Sequence, residues 1–356
     1  MVNVGIIGCG KIAQRRHAPE YASNANANII GFFDMHQENT EKMAQKYGGK
    51  VYKTIDEMLA DPSIDAVSVC AANNAHAEIS IKAMKAGKHV LCEKPMATTV
   101  EDAEEMVRVA RETGVFLMIG QNQRYNTGHI RAKELLEQGI IGKPLTFKTT
   151  FCHGGPERWC SEPGDESLSK NIWFFDKKVA SMGAMADLGI HKTDLIQYLL
   201  DDDITEVTAK IATLDKKDSS GRLIELEDNA ICIFKMSKGT MGTMTTSWTD
   251  YGEEDNSTVI FGTKGLMRLY DNSEHTIQIS TDRGDKIYYD LDRMMTNENQ
   301  LQSGVIRRFI SAIVHGDRTD GADERCVNAL RAVLAAFESS KLDKTIVIND
   351  SGSATK

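Results

Sequence analysis

The chain has no cysteine pair in C-x-x-C spacing. Its seven Cys are an odd number, scattered widely through 356 residues. That usage fits reduced thiols and a cytoplasmic setting, and it argues against a disulfide framework or a zinc site. No His, Cys and carboxylate set has ligand spacing, so no metal is expected. No apolar run approaches the roughly 20 residues that span a bilayer. The stretch from Met1 to Gly8 lacks a basic segment and a cleavage site, so it does not read as a signal peptide. A dense block of Lys and Arg is also missing. With 42 basic against 51 acidic residues, a formal charge of −9, nucleic acid is not an expected partner, because phosphate binding needs clustered cations. There is no internal repeat and no low-complexity tract. What is present is ordinary for a soluble globular protein: 41% apolar and 26% charged residues. The length suits about two domains of ~150 residues each.

The first third alternates between two patterns. Short, nearly continuous apolar runs at Val2 to Ile7, Asn28 to Phe33, Ile64 to Cys70, His89 to Cys92 and Val115 to Ile119 read as buried strands. Helical periodicity separates them, at Lys11 to about Ser23, Gln37 to Tyr47 and Ala75 to Ala86. A further helix follows Thr98-Thr99-Val100-Glu101, whose spacing is that of a capping box. Such alternation predicts a doubly wound parallel sheet covered on both faces. After residue 122 strands dominate. Helices are expected only at 128–138 and near 185–200, 298–315 and 322–340. Hairpins are expected at 230–248 and 258–270. The expected fold class is therefore α/β, with a Rossmann domain at 1–122. An α+β domain with a large, mostly antiparallel sheet follows at 123–356. Pro156 to Lys178 is the longest irregular stretch, and loops of that length are usually functional. The acidic run Asp201-Asp202-Asp203 reads as a solvated turn.

Gly8-Cys9-Gly10-Lys11-Ile12-Ala13 matches G-x-G-x-x-[GA], between the first strand and a helix, as the motif requires. Gly8 permits the tight turn. Gly10 lets the backbone approach a pyrophosphate, and Ala13 allows close helix–strand packing. The helix N-terminus, at Lys11 and Ile12, offers its amides to the phosphates. The second strand ends at Asp34, whose carboxylate can accept hydrogen bonds from ribose hydroxyls and would repel a 2′-phosphate. No Arg or Lys follows to neutralise one. NAD is expected as cofactor ahead of NADP.

Three later segments complete a set: Val90-Leu91-Cys92-Glu93-Lys94-Pro95, Gly120-Gln121-Asn122-Gln123-Arg124-Tyr125-Asn126 and Asp187-Leu188-Gly189-Ile190-His191-Lys192-Thr193-Asp194. With the glycine loop, they resemble the glucose-fructose oxidoreductase / inositol dehydrogenase / rhizopine-catabolism (Gfo/Idh/MocA) family, mainly sugar and polyol oxidoreductases using NAD(P). The resemblance implies that Lys94, Asp187 and His191 are catalytic and also contact substrate. It implies that Asn73, His76, Glu93, Lys94 and Gln121 lie along the cofactor. Arg124, His153 and Trp173 are the further expected substrate contacts, with holding the domain interface an equal alternative for Arg124. Two departures from the family pattern bear on the pocket. Phe174 follows Trp173 where the family has Arg, and Ser181-Met182-Gly183 replaces a run richer in glycine.

The chemistry suits those residue types. Lys94 follows a strand, at the carboxyl edge where open α/β sheets bind ligands. Pro95 holds Lys94 extended or allows a cis bond. A lysine or histidine can take the hydroxyl proton when a carbinol loses hydride. Asp187 and His191, four apart, share one helix face, and Asp194 could orient the His191 ring or sit on the flank. The expected function is an NAD-dependent dehydrogenase of a sugar, glycoside or cyclic polyol. The family resemblance implies a homodimer or homotetramer. Two rivals are an NAD-dependent glycosidase or glycoside 3-oxidising enzyme that recycles its cofactor, and a non-catalytic NAD-binding regulator.

Overall fold

The computed structural model describes residues 1–160, 172–293, 302–322 and 324–348. Six parallel strands form the first sheet: β1 (Val2–Ile7), β2 (Ala27–Phe33), β3 (Lys50–Val51), β4 (Ala66–Val69), β5 (His89–Cys92) and β6 (Leu117–Ile119). Their order is β3-β2-β1-β4-β5-β6. The order reverses between β1 and β4, which makes a crevice at their carboxyl ends the natural ligand site. Every residue of β4 and β6 is buried, as the continuous apolar runs require. Each buried Val, Leu, Ile or Met among them contributes about 1.5–3 kcal/mol.

The helix at Gln37–Tyr47 and strand β5 occupy the expected residues. The cap of the helix Val100–Thr113 sits one residue later than the box spacing suggested. Thr99 is the extended residue, and its side chain accepts from the Asp102 amide. Strand β3 and the helix Ile55–Ala60 had not been expected. The helix carries its own signal, Thr54 accepting from the Glu57 amide and Glu57 accepting from the Lys53 amide.

A nine-stranded sheet dominates the remainder. Its strands are β7 (Pro144–Cys152), β8 (Ile204–Ala212), β9 (Asn229–Met236), β10 (Met241–Ser247), β11 (Thr258–Gly262), β12 (Gly265–Leu269), β13 (Ile277–Thr281), β14 (Lys286–Tyr289) and β15 (Ile346–Val347). All pairings are antiparallel except β7 with β10. The hairpins β9–β10 and β11–β12 form as their turn residues predict. Along β9, Ala230, Cys232, Phe234 and Met236 point to the core, while Ile231 and Ile233 are exposed. Helices occupy Thr127–Glu137, Ile190–Leu200, Val305–His315 and Glu324–Leu342. Of the irregular stretch 156–178, residues 161–171 lie outside the described residues. Short helical turns at Pro156–Cys160, Trp173–Phe175 and Lys177–Ala180 flank them. Part of the expected 298–315 helix, up to 301, also lies outside. Among the described residues, no helix is long and apolar enough to cross a membrane.

The chain divides into two compact units, and the first is discontinuous. It holds residues 1–122 together with 302–322 and 324–327, where the sequence pattern suggested one unbroken second domain from 123. The returning segment adheres for local reasons. Phe309 stacks on Phe116 at 5.8 Å between ring centroids. The Ala322 amide donates to Leu117 O at 2.8 Å, and Arg318 donates to Gly114 O at 2.7 Å. At the other end the Ser303 amide donates to the buried Glu20 carboxylate at 2.7 Å. The acidic run after Leu200 is only partly solvated. Asp202 is buried and accepts from the Ser237 hydroxyl and the Lys238 amide.

Candidate active site

The glycine loop closes the end of β1. Gly8 has φ +91°, and a Cβ there would lie 2.5 Å from Cys70 O, so both conformation and space demand glycine. A Cβ on Gly10 would meet nothing within 4 Å, which leaves the backbone open to a bound group. Lys11 and Ile12, at the helix start, are partly exposed. Asp34, at the end of β2, ties the loop down. Its two oxygens accept from the Cys9 amide at 2.6 Å and the His36 amide at 2.7 Å. Burial, helped by the Asp34 charge, pushes the Cys9 thiol up to about 12, so it stays protonated and packs as core.

Asn73 opens a short turn after β4 and is buried. His76 straps that turn to the next loop. Its Nδ1 lies 2.7 Å from Pro95 O and its Nε2 2.9 Å from Ala71 O. Burial lowers its pKa against the pull of those carbonyls, so at neutral pH the ring is neutral, with one proton for two acceptors. Lys94, half-buried, follows β5 and joins Pro95 through a cis peptide bond, one of the two conformations expected. Glu93 is buried and faces inward, with Oε1 2.7 Å from His17 Nε2. Gln121, after β6, is 4% exposed, and its carboxamide oxygen has no hydrogen-bond partner among the described residues. An orphaned buried acceptor, an open Gly10 and an acidic strand end fit a dinucleotide with its carboxamide, pyrophosphate and ribose.

In the second unit, Asp187 lies in a π-helical turn, Met185–Gly189, which runs into the α-helix Ile190–Leu200 carrying His191. Such wide turns inside α-helices are frequent at functional sites. Two residues that no periodicity had flagged hold this turn. Trp248, fully buried at the end of β10, donates from Nε1 to Asp187 Oδ2 at 3.0 Å. Glu227, buried just before β9, accepts from the Gly183 amide at 2.7 Å and the Met185 amide at 3.0 Å. Burial pushes the Glu227 carboxyl up to about 7, against the pull of those donors.

His153 lies beside the same carboxylate. Its Nδ1 accepts from the Gly155 amide at 2.9 Å, so the ring proton sits on Nε2. That Nε2 is 4.0 Å from Asp187 Oδ2, beyond hydrogen-bond reach, and is unmatched among the described residues. The rings of His153 and His191 each lie 5.9 Å from Phe151. An acceptor and a donor thus stand side by side on an aromatic wall.

The remaining expected residues are placed as follows. Trp173 stacks on Phe174 at 3.9 Å, and Phe174 and Phe175 pack against Trp248. An aromatic cluster occupies the place of the charged residue that the family pattern carries after Trp173. Arg124 donates from Nε to Asp194 Oδ2 at 2.7 Å and from Nη2 to Oδ1. Asp194 therefore holds Arg124, a partner that the spacing of the motif did not suggest. Lys192, next to His191, is fully buried and donates to Asn256 O at 3.0 Å. Burial pushes it down to about 7, opposed by Asp255 and Glu254. Among the described residues no group of His, Cys, Asp or Glu is arranged to hold a metal.

Residues 2–121 match the family model described as the oxidoreductase family, NAD-binding Rossmann fold, of the GFO/IDH/MocA proteins. Residues 129–268 match the model of a GFO/IDH/MocA C-terminal domain. The chain is 27% identical to myo-inositol 2-dehydrogenase of Thermotoga maritima, over 98% of this chain and 99% of the relative. It is 32% identical to D-glucoside 3-dehydrogenase of Escherichia coli, over 56% of this chain and 54% of that one. Among solved structures, aldose-aldose oxidoreductase from Caulobacter crescentus, complexed with glycerol, superposes with a TM-score of 0.80 at 24% identity. That match covers 98% and 99% of the two chains. This last likeness is one of fold.

Proposed function

The chain belongs to the Gfo/Idh/MocA family of oxidoreductases, and on that premise we propose that it is an NAD-dependent dehydrogenase of a sugar, glycoside or cyclic polyol. When bound, NAD supplies the hydride acceptor, its nicotinamide ring. The loop Gly8 to Ile12 takes the pyrophosphate, Asp34 the adenosine ribose, and Asn73 and Gln121 the nicotinamide half. Lys94 and His191 take the hydroxyl proton as the carbinol is oxidised. Asp187 accepts from substrate hydroxyls, His153 donates to them, and Trp173 offers an apolar face to the ring. Arg124 acts through Asp194 on the helix that carries His191.

The observation that carries this reading is the pairing of Asp187 with His153. A carboxylate aimed by a buried indole stands beside an unmatched imidazole N–H, the donor–acceptor set that a polyhydroxylated ring requires. Relatives named as inositol and glucoside dehydrogenases support the substrate range. The test is a panel of inositols, aldoses and glycosides mixed with purified protein and NAD. At least one should generate NADH absorbance. A silent panel, with no NAD retained by the protein, would remove the reading. Conversion of a glycoside without net NADH, by protein that co-purifies with NAD, would replace it with the recycling enzyme.

We also assign the preference for NAD over NADP to Asp34. A carboxylate beside the ribose repels a 2′-phosphate, and misplaced like charges cost several kcal/mol. Asp34→Ser should lower the ratio of kcat/KM for NAD to that for NADP by about tenfold or more. NAD use itself should also fall, because Asp34 anchors the Cys9 amide. An unchanged ratio would show that another residue discriminates.

A further inference from the structure

Behind Lys94 lies a chain of buried hydrogen bonds for which the reaction proposed above names no use. Tyr21, Ser68 and His17 are each fully buried. Tyr21 Oη lies 2.7 Å from Ser68 Oγ, Ser68 Oγ lies 3.1 Å from His17 Nδ1, and His17 Nε2 lies 2.7 Å from Glu93 Oε1. An ionised Glu93 can only accept, so Nε2 carries the ring proton. With a neutral ring, Nδ1 then accepts from Ser68, and Ser68 accepts from Tyr21. One ordering of protons satisfies every member. The other carboxylate oxygen, Glu93 Oε2, accepts from the Lys94 amide at 3.2 Å.

Resting on the dehydrogenase reading, we propose that His17 is a positioning residue for Lys94. Acting through Glu93, it fixes both the backbone and the charge against which the Lys94 ammonium works. Glu93 is 6% exposed. Desolvating a buried carboxylate opposes folding, and an apolar side chain of the same size would often serve stability as well. A charge kept there despite that cost, one residue before a proton-handling lysine, has its use in the lysine. The surroundings keep it ionised. Burial raises the carboxyl, but the His17 hydrogen bond and the charges of Arg16 and Lys94 hold it below the usual carboxylate range. Tyr21 faces it from the first helix, Cys70 from the end of β4 and His76 from the helix His76–Lys85, and Cys92 precedes it on its own strand. The space is built for it too. A Cβ on Gly120 would press to 3.1 Å from Glu93 Oε1. From the far side His76 holds Pro95 O, so the turn bearing Lys94 is gripped before and after the lysine.

The test reads Lys94 without turnover. Lysines of the full-length protein are methylated with ¹³C, and the Lys94 signal is identified by its loss in Lys94→Arg. NMR then follows it across pH. In Glu93→Gln, a near-isosteric change, loss of the neighbouring negative charge favours the neutral amine. The Lys94 midpoint should fall by about one pH unit or more. His17→Leu should lower it likewise, because the buried carboxyl without its donor takes up a proton. His17→Gln, whose amide N–H can still donate to Glu93, should restore a midpoint near the native one. In steady-state kinetics the acid limb of kcat should shift with the midpoint, while KM for NAD stays within about twofold. An unchanged Lys94 midpoint in Glu93→Gln would overturn the inference, whether or not the native protein oxidises any sugar. A native protein inactive on every sugar would instead overturn the functional reading, and the NMR titration would still decide this one.

Discussion

Replacing Lys94 by alanine should lower turnover of the sugar or polyol by about a thousandfold, within the 10²–10⁴ range typical of losing a proton-transfer group. NAD binding should stay close to native. The groups proposed to hold NAD are the Gly8–Ile12 loop, Asp34, Asn73 and Gln121, and the Lys94 side chain is not among them. The amide of residue 94 still reaches Glu93, and His76 still holds Pro95 O, so the turn keeps its shape. Lys94→Arg should restore charge without restoring activity, because guanidinium does not give up its proton near neutral pH. Kinetics on the best substrate of the panel, with calorimetric NAD titration alongside, would check both halves. Activity within a few fold of native in Lys94→Ala would show that His191 alone manages the proton.

The second large effect is expected at Gly183, far from Lys94 in sequence. A Cβ on Gly183 would lie 2.0 Å from Glu227 O and 3.2 Å from Trp248 Cζ3. The first neighbour is backbone entering β9, and the second is the indole that aims Asp187. Neither can move without disturbing the site. Gly183→Ala should cost about 1–3 kcal/mol, the usual range for overpacking, and lower the unfolding temperature by several degrees. Because the displaced groups cap the π-helical turn and hold Asp187, kcat should fall by about tenfold or more, beyond the loss that stability alone implies. Scanning calorimetry with kinetics well below the transition would separate the two. A native unfolding temperature would refute the packing argument.

Gly183 also shows why a substitution in a motif need not weaken its structural role. Ser181-Met182-Gly183 departs from a glycine-rich family pattern, and that departure raised a question about the pocket. The glycine that remains is the one against which another backbone closes. Ser181 adopts φ 66° without being glycine. Gly183 is set apart by the close approach of the Glu227 backbone just before β9, and that strand begins more than forty residues later.

The dinucleotide-binding unit was readable in the sequence because its signals are local. Continuous apolar runs mark strands buried on both faces, and the glycines mark a turn between a strand and a helix. Asp34 follows directly on β2, where the apolar run stops. Helix Ile55–Ala60 was overlooked although Thr54 and Glu57 carry capping spacing, because two turns of helix leave little apolar periodicity to notice. The return of residues 302–327 to the first unit could not be read at all. It depends on Phe309 finding Phe116 and on Ala322 finding Leu117. In the candidate site the order of motifs brought Lys94, Asp187 and His191 to attention. It said nothing of Trp248, Glu227, Lys192 or His17.

By itself the sequence determined the class of fold, the glycine turn between strand and helix and the residues put forward for proton chemistry, since each is written in spacing over a few residues. Tertiary structure decided what those residues touch. His17 meets Glu93 across 76 positions, Trp248 meets Asp187 across 61, and Glu227 meets the Gly183 amide across 44. Burial and electrostatics act through space. A carboxylate's charge or an indole's aim is set by neighbours that only packing brings together, and one-dimensional periodicity holds no record of them.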